Sequence, residues 1–368
     1  MRKLMFVLGA AVMMAAFPGT GNAGAPHTFR HEISVLGMGG AYTAGGWRGS
    51  VIFYNPAAVA TKGFHLNVPI RVGVGGVGGF SEIRDVYDFF EDNQNDLKSI
   101  NQLPPDRVLE LDQEAQKLDG KGGAFRVAPA FRLGWRGFAM QGYGSVVARP
   151  TMDTGVYMPR VNADAQFDVG VIAAYGARIR LFDRWTTRFV DKWYAGASIK
   201  VFRRYDAFTN FSFAEVVSSP NYMDAVEVDD GKTGVGIDVG TMVPVNKELT
   251  LALVAQDLVT FGDVTPTPSV NVGAHYKLWS RVHFVADYRD MFNEMDRPMP
   301  MHVHLGAEVD LTMLRLRGGL YQGYPTLGIG FNLWLIKIDA AYYTEELGDK
   351  LGHSPEDNIA LEIQFGLD

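Results

Sequence analysis

The glycine-rich run 73–78 has the spacing G-x-G-x-x-G, which binds a dinucleotide phosphate when it joins a strand to a helix. A dinucleotide site also needs a crossover helix that returns to a parallel strand. The residues after this run alternate between apolar and polar and give no sign of a parallel α/β unit. The motif therefore does not indicate a nucleotide site, and no cofactor is expected.

A second chemical candidate is the pair His302 and His304, which share the polar face of one segment with Glu308. Two imidazoles and a carboxylate could ligate a metal. Histidines inside a protein wall are more often hydrogen-bonded structural residues, and that interpretation is preferred, so no metal is predicted. The chain has no Ser/His/Asp order, paired-carboxylate motif or phosphate loop that would indicate an enzyme.

Charged residues of both signs fall on the polar faces of alternating segments. Opposite charges on neighbouring strands stabilise a sheet by pairing. We expect them to pair across strands and to hold an interior segment. The alternative is that they line the lumen and set its selectivity. They are Lys200, Arg281, Asp287, Arg289, Glu308, Asp310, Arg315, Arg317, Lys337 and Asp339.

Composition excludes several classes of protein. The 368 residues include no Cys, which excludes disulfides, thiolate nucleophiles and Cys-ligated metals. The 34 Lys and Arg against 41 Asp and Glu give a net charge of -7. Nucleic acid is not a predicted partner, because binding its phosphates needs a clustered cationic excess.

The first 23 residues have the pattern of a signal peptide. Arg2 and Lys3 precede an apolar run, Leu4 to Phe17, which is too short for the roughly 20 residues of a transmembrane helix. Small residues then lead to a predicted cleavage site after Ala23. The protein is expected to be exported.

Alternation between apolar and polar residues dominates the chain from about residue 64. In 301–311, for example, the odd positions are apolar and the even positions are polar or glycine. Fourteen such segments are predicted as strands: 64–74, 124–134, 137–148, 165–180, 193–206, 232–244, 249–257, 269–278, 281–289, 301–310, 314–321, 325–332, 335–344 and 358–367.

The connections between these strands mostly alternate in length. Most of those after even-numbered strands are tight turns and most of those after odd-numbered strands are longer, with exceptions at 181–192 and 322–324. This order is typical of an outer-membrane barrel, whereas a soluble sandwich, the alternative, has no reason to sort its loops. The prediction is an all-β fold, a 14-stranded antiparallel transmembrane β-barrel over 63–368. Aromatic residues near the strand ends suit two interfacial girdles.

Residues 81–118 break the alternation. Ile83, Val86, Tyr87 and Phe90 recur at helical spacing, and a second helical pattern follows Pro104 and Pro105. We predict a helical insert in the first external loop. It could be a lid packed on the barrel mouth, or a cap that gathers substrate or binds a partner.

Just before the first strand stand two short motifs, Leu36-Gly37-Met38-Gly39-Gly40-Ala41-Tyr42-Thr43-Ala44 and Tyr54-Asn55-Pro56-Ala57. Together they resemble the leader of the FadL/TodX-type superfamily of outer-membrane proteins. That superfamily contains long-chain fatty-acid and hydrocarbon transporters, and also PorV-like and TraF-like barrels. The stretch from Leu316 to Gly348 also resembles these barrels.

The resemblance implies that residues 24–62 fold into the lumen as an N-terminal plug, or hatch. Pro56 fixes its own φ and biases Asn55 away from helix, which suits a turn into the wall. Glycines allow the close backbone approach that a crowded lumen needs. The predicted hatch residues are Gly37, Gly39, Gly40, Asn55, Pro56 and Ala57.

The function implied by the resemblance is passive transport of hydrophobic small molecules, of the fatty-acid or hydrocarbon class, across the outer membrane of a Gram-negative bacterium. Predicted ligand contacts are Trp47, Phe53 and Tyr54 in the lumen and Phe89 and Phe90 outside. Membrane lipid and the outer-membrane insertion machinery are the other expected partners. The alternative is a non-transporting barrel that binds a surface or secreted protein.

Overall fold

The computed structural model describes residues 31–47, 50–99, 102–153, 160–179, 192–212 and 227–367. The predicted signal peptide, residues 1–23, lies outside the described residues, and so do residues 24–30, 48 and 49 of the predicted plug.

The described chain is built mainly of β-strands. Their bounds are β1 (His65–Val77), β2 (Gly122–Trp135), β3 (Phe138–Asp153), β4 (Arg160–Arg178), β5 (Tyr194–Ser212), β6 (Glu227–Val228), β7 (Lys232–Pro244), β8 (Leu249–Gly262), β9 (Ser269–Leu278), β10 (Val282–Tyr288), β11 (Val303–Leu311), β12 (Leu314–Tyr321), β13 (Tyr324–Leu333), β14 (Ile336–Glu346) and β15 (Pro355–Leu367). The two-residue β6 only adds to β5, so the wall itself has fourteen strands.

Every neighbouring pair in the wall is antiparallel, and the sheet closes on itself. β1 pairs with β15 from Leu66↔Leu367 to Val77↔Glu356. β5 pairs directly with β7, from Tyr194↔Met242 to Arg204↔Lys232. Closure leaves no unpaired sheet edge along the circuit, which is the condition for placing a sheet in lipid. The predicted fourteen-stranded antiparallel barrel is therefore confirmed.

The two faces of the wall have opposite chemistry. On β1 the apolar side chains from Leu66 to Val74 point outward and are 38% to 45% exposed, whereas Asn67 and Arg71 point inward and are buried. Water would not favour an apolar exterior around a polar interior, but a bilayer does. The architecture is that of an outer-membrane protein.

Tryptophans mark one rim of the barrel. Trp135 lies at the end of β2, and Trp279 and Trp334 lie in the turns after β9 and β13, with 59%, 82% and 82% of their surface exposed. Indole rings concentrate at membrane interfaces, where one side of the ring is apolar and the N–H stays wet. This rim, with its tight turns, is the periplasmic one.

The wall is uneven in height. β4 and β5 have 19 residues each and are paired along their whole length, whereas β10 has 7 and β12 has 8. About ten tilted residues cross the apolar band of an outer membrane. The β4–β5 side therefore rises well above the membrane on the external side, and the β10–β12 side does not.

The N-terminal residues 31–62, without 48 and 49, are called here the lumenal segment. They contain a short helix α1 (Ile33–Leu36) and a 3-10 helix (Pro56–Thr61), and most of them are buried. Their buried apolar side chains form two clusters with inward-facing wall residues, one around Ala139, Ile172 and Ala252 and a smaller one, with Ile33 and Leu36, around Tyr321 and Tyr343. The segment therefore lies inside the barrel.

Two helices, α2 (Phe80–Lys98) and α3 (Pro105–Gln116), connect β1 to β2 and form what we call the helical hairpin. A lid over the mouth was one expectation for this insert, but the hairpin packs on the outside of the wall. Its core contacts Met152 and Val161, which are register partners on the outward face. Ile83 lies against Gly76, which is two residues after the outward-facing Val74 and therefore faces outward too.

No helix within the described ranges is long and apolar enough to cross a membrane.

Candidate functional site: the lumenal segment and the wall around it

Asn55 joins the lumenal segment to the wall. Its backbone is extended (φ -156°, ψ 112°), as expected before a proline, and its Oδ1 accepts the Ala57 N–H at 3.0 Å. Its Nδ2 donates to the carbonyl of Thr43 at 3.1 Å and to the carbonyl of Thr241 on β7 at 3.2 Å. One side chain therefore caps the 3-10 helix, braces the segment and attaches it to the barrel.

The wall that faces this turn carries glycine on three successive strands. A Cβ added to Gly176 would lie 2.8 Å from the Pro56 oxygen, and one added to Gly196 would lie 2.5 Å from the Pro56 carbonyl carbon. A Cβ at Gly240 would overlap Asn55 Oδ1. Backbone packs on backbone here, and any side chain on the wall would push the segment away.

A second close approach lies at the other end of the segment. Gly39 and Gly40 have φ of 68° and 77°, in the left-handed region that favours glycine. A Cβ on Gly37 would lie 2.9 Å from the Cα of Gly328 on β13, and one on Gly39 would lie 2.8 Å from the Leu320 nitrogen. The sequence singled out these three hatch glycines, but it did not identify the wall glycines that receive them.

Asp287 on β10 holds the middle of the segment. Its carboxylate accepts the N–H of Tyr42 at 2.7 Å, and the N–H and hydroxyl of Thr43 at 2.9 and 2.8 Å. These three donors satisfy a carboxylate that is 3% exposed, which a buried charge requires. Arg289 lies 3.8 Å from Asp287 and donates to the Gly40 carbonyl.

The predicted pairing of lumenal charges is present in two clusters. Arg317 binds Glu308 at 2.8 Å and Asp339 at 2.5 Å. Lys200 lies 2.8 Å from both Asp238 and Asp257. Each cluster places one cation between two carboxylates of other strands and so ties adjacent parts of the wall together.

Another ion pair links the lumenal segment to the wall. Glu32 binds Arg132 of β2 at 3.0 Å, and its carboxylate also accepts the Ser50 N–H. Arg281, also predicted to face the lumen, is exposed at the turn before β10.

His302 and His304 serve as hydrogen-bonding wall residues. The His302 ring nitrogens lie 2.8 and 2.9 Å from the carbonyls of Arg289 and Arg297, and His304 Nδ1 lies 2.9 Å from the Gly39 carbonyl. Across the described part of the chain, no group of three or more His, Asp or Glu side chains is placed to hold a metal ion.

Trp47 packs against two other histidines. Its ring stacks on His275 at 4.0 Å and on His283 at 4.8 Å between centroids, and the imidazoles approach each other to 2.9 Å. Its Nε1 donates weakly to Glu308 at 3.4 Å. Trp47 is thus a partly buried contact between the lumenal segment and strands β9 to β11.

Tyr54 is buried, with 4% of its surface exposed, and its hydroxyl accepts the Glu32 N–H at 3.0 Å. Burial and the nearby Glu32 carboxylate raise the pKa of this phenol, so it stays protonated. Its ring meets Tyr42 edge-on at 5.3 Å. Tyr54 therefore belongs to the interior of the segment.

Phe53 packs against that interior cluster and also against the wall. It meets Tyr143 of β3 edge-on at 5.2 Å and packs on a small apolar cluster of Ala130, Tyr143 and Phe202, with Val264 beside them. This aromatic cluster lies between the segment and an otherwise polar wall. Only Phe53 of its members was predicted as a ligand contact, because the others lie on distant strands.

Phe89 and Phe90, the two predicted external contacts, lie in the helical hairpin. Phe89 is 7% exposed and packs with Leu97, Ala115 and Leu118 in the hairpin core, and Phe90 packs against that core. The structure thus separates them from the lumenal aromatic residues, on the other side of the wall.

The wall beside the aromatic cluster has an interrupted ladder. β1 and β2 have no register partners at Val68 and Pro69, and β2 and β3 have none at Ala128 and Pro129. Proline cannot donate a ladder hydrogen bond, so it is rare inside a sheet. Ala130 and Tyr143, which belong to the cluster, directly adjoin this interruption. An internal proline in a predicted strand was the sequence signal for it.

Several solved structures are similar to this chain in fold. The Ralstonia pickettii toluene transporter TbuX superposes with a TM-score of 0.51 at 12% identity, over 90% of this chain and 97% of that one. The deltaS2S3 mutant of the monoaromatic hydrocarbon channel TodX gives 0.55 at 10% identity, over 92% and 98%. The Pseudomonas putida toluene transporter TodX gives 0.50 at 9% identity, over 90% and 96%.

No protein-family model matches the chain, and no curated protein sequence does either. The likeness to TbuX and TodX therefore concerns the fold alone, that of a fourteen-stranded outer-membrane barrel. It is the fold expected from the motifs around Gly39 and Asn55.

Proposed function

We propose that the protein is a passive outer-membrane channel for hydrophobic small molecules of the hydrocarbon or fatty-acid class. The observation that supports this most is the position of the aromatic cluster of Phe53, Tyr143, Phe202 and Val264. It is an apolar site inside a polar barrel, and it lies beside the proline interruption between β2 and β3. A bound apolar molecule is stabilised there in proportion to the apolar surface that it removes from water.

The route we propose runs from the external mouth to this cluster and then sideways through the wall at Pro129 into the membrane. A route straight down would require removal of the lumenal segment. That segment is held by Asn55, by Asp287 and by close backbone contacts with wall glycines. Sideways release needs only a local separation of two strands that already lack ladder bonds near Pro129.

Within this proposal Phe53 is the direct lumenal ligand contact, and Trp47 and Tyr54 hold the segment that presents it. The neighbouring channels TbuX and TodX are described as transporters of toluene and of monoaromatic hydrocarbons, which supports the same ligand class for this chain.

The test is Phe202→Gln, measured by uptake of labelled hydrocarbon and fatty acid in cells that lack the chromosomal copy. Loss of one aromatic contact, worth about 1.5–3 kcal/mol, should lower ligand affinity about tenfold or more. Phe138→Gln is the matched control, since Phe138 lies at the periplasmic start of β3, faces outward and is 43% exposed. Equal uptake by both variants and the wild type would contradict the proposal.

A second candidate, binding of a surface or secreted protein, is favoured by the helical hairpin. The hairpin lies on the outside of the rim, and residues 80–119 carry eleven Asp and Glu against four Lys and Arg. Native mass spectrometry of protein from outer membranes distinguishes the two candidates. A bound apolar small molecule supports transport, and a bound polypeptide supports the second candidate.

A further inference from the structure

The loop between β10 and β11, residues 289–302, exposes four large apolar side chains. Met291, Phe292, Met295 and Met299 have exposed fractions of 52%, 67%, 44% and 69%. A cluster of this kind on a surface loop indicates a contact surface for an apolar partner. We call it the Met-Phe loop.

The position of the membrane can be read from the base of the same strand. Trp279, which is 82% exposed in the turn before β10, marks the periplasmic interface. Crossing the apolar band takes about ten residues of tilted strand. Ten residues beyond Trp279 the chain has reached Arg289, so the loop begins where the hydrocarbon ends on the external side.

The apolar side of the loop continues the lipid-facing side of the wall. Asp290 has a left-handed backbone (φ 51°) that shifts the β9–β10 register by one residue, and the Met291 N–H then donates to the Val270 carbonyl at 2.8 Å, so Met291 adjoins Val270. Val270 shares its face of β9 with the exposed Val272 and Tyr276, whereas Asn271 and His275 face inward and are buried. Met291 therefore points to the side that already contacts lipid.

The backbone of the loop suits a medium poor in water. The Asp290 carboxylate accepts the N–H groups of Glu294 and Met295, each at 3.0 Å, and Asn293 Oδ1 accepts the Arg297 N–H at 2.8 Å. Pro298 and Pro300 have no N–H to satisfy. Irregular backbone is tolerated next to lipid only when its polar groups are paired in this way.

From these four observations we propose that the Met-Phe loop inserts its methionines and phenylalanine among the acyl chains of the outer leaflet. The occupant of the surface is lipid, because the patch is continuous with the lipid-facing band and lies level with its upper edge. Glu294 and Asp296 are exposed on the same loop, so it lies at the boundary between head groups and acyl chains.

One consequence concerns the mouth of the barrel. On the β10–β11 side the rim lies level with the leaflet, while the β4–β5 side stands above it. The barrel mouth is then tilted toward the membrane on the side of the Met-Phe loop. The lipid contact itself does not depend on whether the barrel transports anything.

The absence of native cysteine makes the test clean. Phe292→Cys and, separately, Met299→Cys are labelled with a nitroxide and reconstituted in lipid bilayers. Electron paramagnetic resonance power saturation then compares collisions with oxygen, which concentrates in the acyl chains, and with a water-soluble nickel complex. Val72→Cys is the lipid-facing reference, and Lys350→Cys, exposed on a neighbouring external loop, is the aqueous reference.

We expect both loop labels to give oxygen-to-nickel ratios several-fold above that of the label at Lys350→Cys. These ratios should be closer to that of the label at Val72→Cys. Ratios equal to that of Lys350 at both positions would overturn the proposal. Because the two variants are independent, a folding failure in one leaves the other to decide.

Discussion

Single atoms on the inner wall decide whether the lumenal segment can lie in the barrel. Gly176, Gly196 and Gly240 stand where a Cβ would meet the backbone or side chain of Asn55 and Pro56. Packed interiors tolerate little added volume. The identity of these glycines is therefore fixed by the segment that they contact and not by the strands in which they lie.

We expect Gly240→Ala to destabilise the barrel by about 1–3 kcal/mol, the usual cost of overpacking. The added methyl would overlap Oδ1 of Asn55, whose side chain is held by three hydrogen bonds and cannot move freely. The measurement is the urea midpoint of the protein in lipid vesicles, together with protease cleavage of the lumenal segment.

Gly142→Ala is the matched control for this change. Gly142 lies in β3 with nothing within 4 Å of an added Cβ, so its midpoint should stay at the wild-type value. A normal midpoint and an intact segment in Gly240→Ala would mean that the segment is not seated against β7.

At the scale of elements, β2 combines two properties that rarely occur together. It is paired with a strand on each side, and it contains a proline, Pro129. The hydrogen-bond ladders to both neighbouring strands are interrupted beside this proline. A strand that has lost ladder bonds opens at lower free energy than its neighbours. The β2–β3 seam is therefore a weak point of the described wall, and it is where the proposed sideways release takes place.

Pro129→Ala should close this seam, because alanine supplies the missing N–H donor. The expected result is slower amide exchange near Gly144 and Ser145 and reduced uptake of hydrophobic substrate. Pro150→Ala changes the same residue type in β3, at the external end of the same seam, and should leave uptake unchanged. Equal uptake by the wild type and Pro129→Ala would argue against passage at this point.

The helical hairpin is an element with its own core, formed by Phe89, Leu97, Ala115 and Leu118. Replacing residues 81–118 by a short Asn-Gly turn should therefore leave the barrel folded and uptake unchanged, while abolishing the capture of any protein partner. The measurements are heat-modifiable migration on gels, uptake, and native mass spectrometry. Loss of uptake in this deletion would place the hairpin on the transport route.

At the scale of the whole molecule, the burial pattern is the reverse of that in a soluble protein. Arg71, Arg126 and Glu356 are almost fully buried, while Ile70, Val171 and Leu316 are 43% to 48% exposed. Buried charges are tolerated only when they are paired, as Arg71 is with Glu362 at 2.9 Å. The lipid bilayer supplies the apolar solvent that the outer face needs.

A charge placed on the lipid-facing wall should therefore be costly. We expect Ile70→Arg to destabilise the folded barrel by about 2–4 kcal/mol, since Ile70 lies midway along β1. Urea titration in lipid vesicles measures this loss. Leu109→Arg changes an apolar residue that is 57% exposed on α3, and it should have little effect. Comparable losses in both variants would contradict the placement of the membrane around the strands.

The sequence by itself determined the outline of this protein. A period of two residues forces one face of each strand to differ from the other, and the alternation of turns and loops fixes the direction of each strand. Fourteen strands followed, as did the resemblance carried by Gly39 and Asn55. These features are local, since each depends on residues that are neighbours in the chain.

The tertiary structure alone decided which residues meet. Phe53 reaches Tyr143 and Phe202, and the hairpin packs outside the rim on Met152, because closing the barrel brings distant strands together. The wall glycines, and the backbone groups that Asp287 binds, were assigned only when the lumenal segment was seen against the wall. Contacts of this kind depend on register and curvature summed over the whole wall, which no single stretch of sequence encodes.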